Sequence, residues 1–170
     1  MRDGMGKAMG RATQLTAGLL AGLHLGFAAG PAAAAQDPAF THVSCKGEPN
    51  EIRVTVSNVK KSAGLMTVEL YRNDPDGFLN KKGRVFRVRY AAHAPVTQIC
   101  LTAPAPGAWA VGAYHDENAN RKFDKNAFGL PAEPYGLSGN PKIRFALPPI
   151  SEALFEVAET GASVEIKLKN

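Results

Sequence analysis

Acidic and amide side chains recur at alternate positions in one short stretch of the chain. Asp116, Asn118, Asn120 and Asp124 stand at positions 1, 3, 5 and 9 of a D-x-N-x-N-x-x-x-D pattern. Calcium takes six to eight oxygen ligands, and side chains that alternate along a tightly turning backbone can converge on one ion. These hard oxygen donors favour calcium over zinc, which prefers His and Cys. With the Lys122 carbonyl as a fifth ligand, the pattern predicts a weak calcium site, and calcium is the candidate cofactor.

Two positions depart from the helix–loop–helix calcium motif. Arg121 stands where that motif has its turning glycine, and Ala127 stands where it has an acid that binds the ion through both oxygens. Glu117 and Glu133 are candidates to replace the missing acid. The alternative is a purely structural loop, because Asp and Asn are turn residues that hydrogen-bond their own backbone. The sequence leaves both interpretations open.

His115, directly before this stretch, is the candidate catalytic residue. The strand pattern places it on the same face as Trp109, Val111 and Ala113, and we expect Trp109 to anchor the core. A His at the end of such a row is typically a hydrogen-bonded packing residue. A hydrolase built from His115 and Ser138 lacks the elbow that presents a nucleophile. We therefore expect no enzyme, and an enzyme that uses His115 and nearby carboxylates is the alternative.

The chain contains two cysteines, Cys45 and Cys100. Their spacing is far from the Cys-x-x-Cys pattern of a redox pair or a metal site, and an oxidising compartment favours joining them. The sequence therefore predicts a structural disulfide between Cys45 and Cys100, with a pair of buried free thiols as the alternative.

The N-terminal segment has the pattern of a secretory signal peptide. A basic stretch that contains Arg2, Lys7 and Arg11 leads into an apolar segment at 15–27 and an Ala-rich run at 32–35. The apolar segment is too short to cross about 30 Å of hydrocarbon. We predict a signal peptide at 1–35 and a periplasmic or secreted protein without a transmembrane segment after cleavage. Cleavage removes three basic residues and one acid, so the net charge falls from +5 to +3.

A run of basic residues surrounds one predicted strand: Lys81, Lys82, Arg84, Arg87 and Arg89. Such a face can attract anionic components of a cell surface, which are the candidate partners, whereas export disfavours nucleic acid. The alternative is a solvated strand face whose cations discourage aggregation.

Apolar residues repeat with a period of two from Glu51 onward, which is typical of half-buried strands. Eight strands are predicted, near residues 52–57, 66–71, 86–90, 96–102, 108–115, 142–147, 152–157 and 163–169. Such strands bury their apolar faces against one another, which favours an all-β antiparallel two-sheet sandwich of the immunoglobulin-like or prealbumin-like kind, with a barrel as the alternative. The predicted organisation is a flexible lead-in at 36–50 and a single β-sandwich domain at 51–170.

One connection is much longer than the turns between the other strands. The polar segment 116–141 separates two predicted strands, and loops of this length are usually functional or disordered. Its aromatic residues, Phe123, Phe128 and Tyr135, favour a loop that folds back onto the domain.

The same region resembles the core signature of the bacterial domain of unknown function 2141 family. The corresponding residues are Pro106-Gly107, His115-Asp116, Asn118, Asn120, Asp124, Gly129-Pro131-Glu133 and Gly136-Ser138. The likeness extends more loosely to most of residues 51–168, and it implies an exported, sandwich-like β protein whose biochemical role is not established. One departure is the segment Ala119-Asn120-Arg121, where the family commonly has Gly after the second Asn.

Overall fold

Eight β-strands follow one another in the part of the chain that the structure describes. The computed structural model describes residues 45–143 and 147–169, so the predicted signal peptide at 1–35 and residues 36–44 of the predicted lead-in lie outside it. The strands are β1 (Glu51–Ser57), β2 (Leu65–Arg72), β3 (Arg84–Ala91), β4 (Val96–Thr102), β5 (Gly107–Asp116), β6 (Tyr135–Leu137), β7 (Leu154–Val157) and β8 (Ala162–Lys167). A 3₁₀ turn, Ile150–Glu152, precedes β7. No helix within these ranges is long and apolar enough to span a membrane.

The strands form two sheets that pack as a sandwich. The smaller sheet has the order β4-β1-β8, and the larger has the order β3-β2-β5-β6, with β7 also paired to β5. Strands β6 and β7 share one edge of β5, at 112–114 and 107–110. The predicted all-β sandwich is therefore confirmed. The predicted antiparallel pairing holds except between β1 and β8, which run parallel.

The two sheets bury a shared apolar core. Ile52, Val54 and Val56 of β1 are fully buried, while Arg53 between them is exposed, as the period of two predicts. The core also takes residues from β2, β4, β5 and β8. Trp109 packs against it as a half-buried side chain whose Nε1 donates to the carbonyl of Ala105 at 3.0 Å.

The outer face of the larger sheet is also partly covered. Residues on that face form a second apolar cluster with the segment that carries the 3₁₀ turn: Tyr71, Ala110, Leu137, Ile150 and Ala153. As a result, six consecutive residues of β2 are buried, although its sequence alternates between apolar and polar residues. This face is where the long loop after β5 folds back.

The strand predicted at 142–147 is wrong in the part that the structure describes. Lys142, Ile143 and Leu147 lie outside strands, and residues 144–146 are outside the described ranges. Strand β6 lies earlier, inside the segment interpreted as loop. A Cβ atom on Gly136 would lie 2.6 Å from Ile166 Cγ2, so glycine permits β6 to pass close to β8. Strand β6 has three residues, which are too few to show an alternation of apolar and polar side chains.

Cys45 and Cys100 form the predicted disulfide, with Cα atoms 5.4 Å apart. Cys100 lies in β4, so the bond fixes the described end of the lead-in to the smaller sheet. The Glu51 carboxylate accepts the backbone N–H groups of Lys46 and Gly47, at 2.9 and 2.7 Å. These two bonds, of which the one from Lys46 has the larger effect, hold the pKa of the Glu51 carboxyl below its ordinary value. Residues 45–50 are thus attached to the domain.

Candidate calcium loop

The long connection between β5 and β6 packs onto the larger sheet through aromatic contacts. The ring of Phe123 lies 5.0 Å from that of Tyr114 in β5 and 5.8 Å from that of Tyr135 in β6, measured between ring centroids. Phe123 and Tyr135 thus hold the loop to the domain as predicted. Phe128 does not, because its side chain is 88% exposed.

The Asp116 carboxylate closes the turn that begins the loop. Asp116 is fully buried, and its Oδ1 and Oδ2 accept the N–H groups of Asn120 at 3.0 Å and Arg121 at 2.7 Å. Ala119 and Arg121 have φ angles of 56° and 64°, in the left-handed region that favours glycine. The backbone therefore makes a tight turn even though Arg121 replaces the glycine of the calcium motif.

The two asparagines of the pattern direct their amide N–H groups toward Asp124. Their Oδ1 atoms accept backbone N–H groups, from Asn120 at 2.9 Å and from Lys122 at 2.8 Å. Their Nδ2 atoms donate to Asp124 Oδ2, at 2.9 Å from Asn118 and 2.7 Å from Asn120. Because a backbone N–H can only donate, these bonds fix which amide atom is oxygen. Calcium binding through both amide oxygens therefore requires the amides to turn.

Glu133 brings a third carboxylate to this network. Its Oε2 accepts the N–H of Asp124 at 3.2 Å, and its side chain is buried with 7% of the residue exposed. Its Oε1 is also buried and has no hydrogen-bond partner within the described ranges. Burial above all, together with the negative charges of Asp116, Asp124 and Glu117 and against the opposing Asp124 N–H, raises the pKa of Glu133 to about 7.

Positive charge does not balance these three carboxylates. Within the described ranges no Lys, Arg or His side chain forms an ion pair with Asp116, Asp124 or Glu133. Glu117, the residue after Asp116, differs because it does form an ion pair. Its carboxylate accepts a hydrogen bond from Lys61 Nζ at 2.7 Å, and this bond lowers the pKa of Glu117. Of the two acids considered as substitutes, Glu133 therefore lies in the network and Glu117 is committed to a lysine.

The loop carboxylates are spread more widely than in a compact metal site. Within the described ranges, one set of three His, Cys, Asp or Glu side chains has ligand atoms within 4.8 Å of one another: Cys45, Glu51 and Cys100. Both sulfurs of that set are joined in the disulfide and are not ligands. The described loop carboxylates form no such set, so a cation in the loop would have to draw them together.

His115 and Ser138 are both buried and engaged in packing. His115 is fully buried, and its Nε2 lies 2.7 Å from the Ala63 carbonyl, so Nε2 carries the proton. Its Nδ1 is 4.0 Å from Glu117 Oε1. The Ser138 hydroxyl accepts the Val111 N–H at 2.9 Å and contacts the Ala153 carbonyl. Each side chain links the larger sheet to a neighbouring segment.

The basic strand carries ion pairs that the sequence analysis did not identify. Arg84 and Arg87 both pair with Glu69, a buried acid of β2, and the Arg84 contact is 3.0 Å. The Tyr71 hydroxyl donates to the same carboxylate. Arg89 donates to the Arg121 carbonyl at 3.2 Å and so contacts the long loop. The sequence does place Glu69 between the apolar residues Val68 and Leu70 of a predicted strand. Its partner could not be identified there, because the pairing with Arg87 depends on the register between β2 and β3.

Comparison with known proteins identifies one related family. The model of a family described as "Uncharacterized protein conserved in bacteria (DUF2141)" matches residues 54–165, which covers strands β2 to β7 completely and β1 and β8 in part. No curated protein and no solved structure matches the chain.

Proposed function

The chain belongs to the family of uncharacterised proteins conserved in bacteria, DUF2141, and from that premise we propose that it is a non-catalytic, calcium-binding module of the periplasm or cell surface. The proposed ligands are Asp116, Asn118, Asn120, Asp124 and the Lys122 carbonyl, with Glu133 as the acid that the loop pattern lacks. Calcium would hold the loop on the sheet. The module would attract anionic surface components through the exposed lysines near its basic strand.

The observation that carries the proposal is the buried Glu133 carboxylate beside Asp124. One of its oxygens has no hydrogen-bond partner within the described ranges, and Asp116 and Asp124 beside it form no ion pair there. Leaving a buried polar atom unpaired costs about 1–3 kcal/mol. A divalent cation would satisfy this oxygen and neutralise the surrounding charge. Hard carboxylate and carbonyl oxygens are the ligands that calcium prefers.

Two further observations support a non-catalytic, exported module. The His115 side chain is fully buried and bonded to a backbone carbonyl, whereas a catalytic base must reach a substrate. The disulfide between Cys45 and Cys100 is typical of proteins that fold in an oxidising compartment. Calcium concentrations that fill weak sites occur in the same extracellular setting.

Thermal melts in millimolar calcium and in chelator test the proposal. We expect a dissociation constant on the order of 10⁻⁴ to 10⁻³ M, as in extracellular modules. At tenfold excess, calcium should add about 1.4 kcal/mol, or roughly 5 °C for a domain of this size. Glu133→Gln keeps the shape of the side chain and should abolish the shift. Asp116→Ala is a poorer variant, because it also removes the acceptor for two backbone N–H groups.

Asn118→Asp separates calcium binding from a purely hydrogen-bonded loop. The substitution replaces the amide that donates to Asp124 with a carboxylate, so it should lower the melting temperature in chelator by charge repulsion. In calcium the added carboxylate is a stronger ligand, so the variant should recover and show a larger shift than the wild type. If calcium leaves the wild type unchanged and Asn118→Asp is equally destabilised in both buffers, the loop is a structural turn and the proposal is wrong.

A further inference from the structure

A cleft of about 570 Å³ opens on the outer face of the five-stranded sheet. Its floor is formed by β5 and β6, including Gly112 and Leu137. The lining also includes Leu79 and Lys81 from the segment between β2 and β3, and Phe123 and Lys125 from the long loop. None of the proposed calcium ligands lines it. A volume of this size is typical of small-molecule sites.

The interior of the cleft is apolar, and apolar side chains continue to its rim. Leu79, Phe123 and Leu137 contribute to the lining, while Leu130 and Leu147 at its edges are 60% and 62% exposed. Exposed large apolar residues that cluster around a concave surface mark binding sites more often than isolated ones do. The cleft can therefore remove an apolar chain or ring of moderate size from water.

The charge around the cleft is positive. Four cationic side chains line it, Lys81, Arg84, Arg87 and Lys125, against the single carboxylate of Glu69, which leaves a surplus of three positive charges. The two arginines are paired with Glu69, whereas Lys81 and Lys125 are exposed and come from two different segments of the lining. An anionic head group at the mouth would be attracted by both lysines.

Tyr114, in the lining of the cleft, carries a buried hydroxyl. The residue is 6% exposed, and its Oη has no hydrogen-bond partner within the described ranges. Buried hydroxyl groups normally have a partner, and a small shift of the Tyr114 side chain would let a ligand in the cleft supply one. Carboxylate and sulfate oxygens accept from a tyrosine hydroxyl.

We infer that this cleft binds a small amphiphilic anion, with its apolar body on Gly112 and Leu137 and its acidic head among Lys81, Lys125 and the Tyr114 hydroxyl. A medium-chain carboxylate fits this description in volume, polarity and charge. The inference goes beyond calcium binding and does not depend on it, because the two sets of ligand-binding residues are different.

Gly112 provides a direct way to fill the cleft. An added Cβ atom would lie 3.5 Å from Leu137 Cδ2 and from Tyr71 Cε2, which is ordinary van der Waals contact. The backbone there is an ordinary strand, so a Cβ atom is tolerated, and the longer side chain of leucine would take up space on the cleft floor. Gly112→Leu should therefore block the ligand without breaking strand pairing.

Isothermal titration calorimetry with decanoate below its micellar concentration tests the inference, with decanol and decyltrimethylammonium as probes of matched chain length. Decanoate should bind with one-to-one stoichiometry and at least tenfold more tightly than decyltrimethylammonium. Gly112→Leu should weaken binding more than tenfold. The double variant Lys81→Glu/Lys125→Glu should do the same, whereas Lys60→Glu/Lys142→Glu, an equal charge change at exposed lysines outside the cleft, should have little effect.

Tyr114→Phe isolates the hydrogen bond from the apolar contacts. It should weaken decanoate about three- to tenfold and leave decanol unchanged. Three results would each overturn the inference: no saturable decanoate binding up to millimolar concentration, equal affinity for the anion and the cation, or unchanged affinity in folded Gly112→Leu. Titrations in calcium and in chelator keep this outcome separate from that of the calcium proposal.

Discussion

Removal of the disulfide between Cys45 and Cys100 should destabilise the protein mainly through the unfolded state. Both cysteines are half-buried, and Arg53 Nε donates a long hydrogen bond to Cys45 Sγ at 3.4 Å. Replacing them with serine therefore removes little native packing. What changes is the freedom of the chain between them, which spans a sequence separation of 55.

The size of this effect follows from the length of the closed loop. In the chain-entropy model a loop of this length restricts the unfolded chain by about 14 cal/mol/K, or about 4 kcal/mol at 25 °C. Total stabilities of single domains are about 5–15 kcal/mol, so the loss is a large fraction. With an unfolding entropy of roughly 0.26 kcal/mol/K for a domain of this size, the melting temperature should fall by about 15 °C.

Urea denaturation of Cys45→Ser/Cys100→Ser, of the wild type and of the reduced wild type measures the free energy of unfolding directly. The double variant and the reduced protein should lose the same amount. Arg53→Ala serves as a control for the lost sulfur contact and should change stability by less than about 0.5 kcal/mol. A loss below about 1 kcal/mol in the double variant would mean that the chain is already restricted when unfolded, and the argument from loop length would be wrong.

Three other changes should have measurable effects on stability. Gly64→Ala should cost at least about 2 kcal/mol in urea, because φ is +71° and the new Cβ would lie 2.2 Å from the Asp116 carbonyl oxygen; a loss under 1 kcal/mol would contradict this. Tyr71→Phe removes the donor to the buried Glu69 carboxylate and should cost about 1.5–3 kcal/mol by the same assay. Burial raises the pKa of Glu133 from 4.5 to about 7, so the folded state holds the extra proton, and stability in chelator should fall by up to about 3 kcal/mol as pH rises from 4.5 to above 7. Glu133→Gln should flatten this slope, and an unchanged slope would assign it to another group.

The fold could be predicted from sequence wherever one face of a strand is buried and the other is exposed to solvent. In β1, Ile52, Val54 and Val56 alternate with polar residues because the three-stranded sheet faces the core on one side. Strand β6 could not be found in this way. Its three residues are placed by pairing with β5 and by the room that Gly136 leaves for β8, and neither is a periodic property of the sequence.

The candidate site was predictable where its members are close in sequence. The spacing of Asp116, Asn118, Asn120 and Asp124 does place them in one hydrogen-bond network, because alternate side chains on a tight turn face the same point. The role of Glu133 depends on how the chain returns to the sheet. The cleft depends on a contact between segments that are distant in sequence, so its lining could not be derived from local patterns.

The long loop joins the two proposed sites through its backbone. Phe123 and Lys125 line the cleft, and the residue between them, Asp124, is a proposed calcium ligand. One short segment therefore contributes neighbouring side chains to both sites. Contraction of the carboxylates around an ion would move the same backbone that carries the cleft wall. Linkage then requires any effect of calcium on the affinity for the anion to equal the effect of the anion on the affinity for calcium.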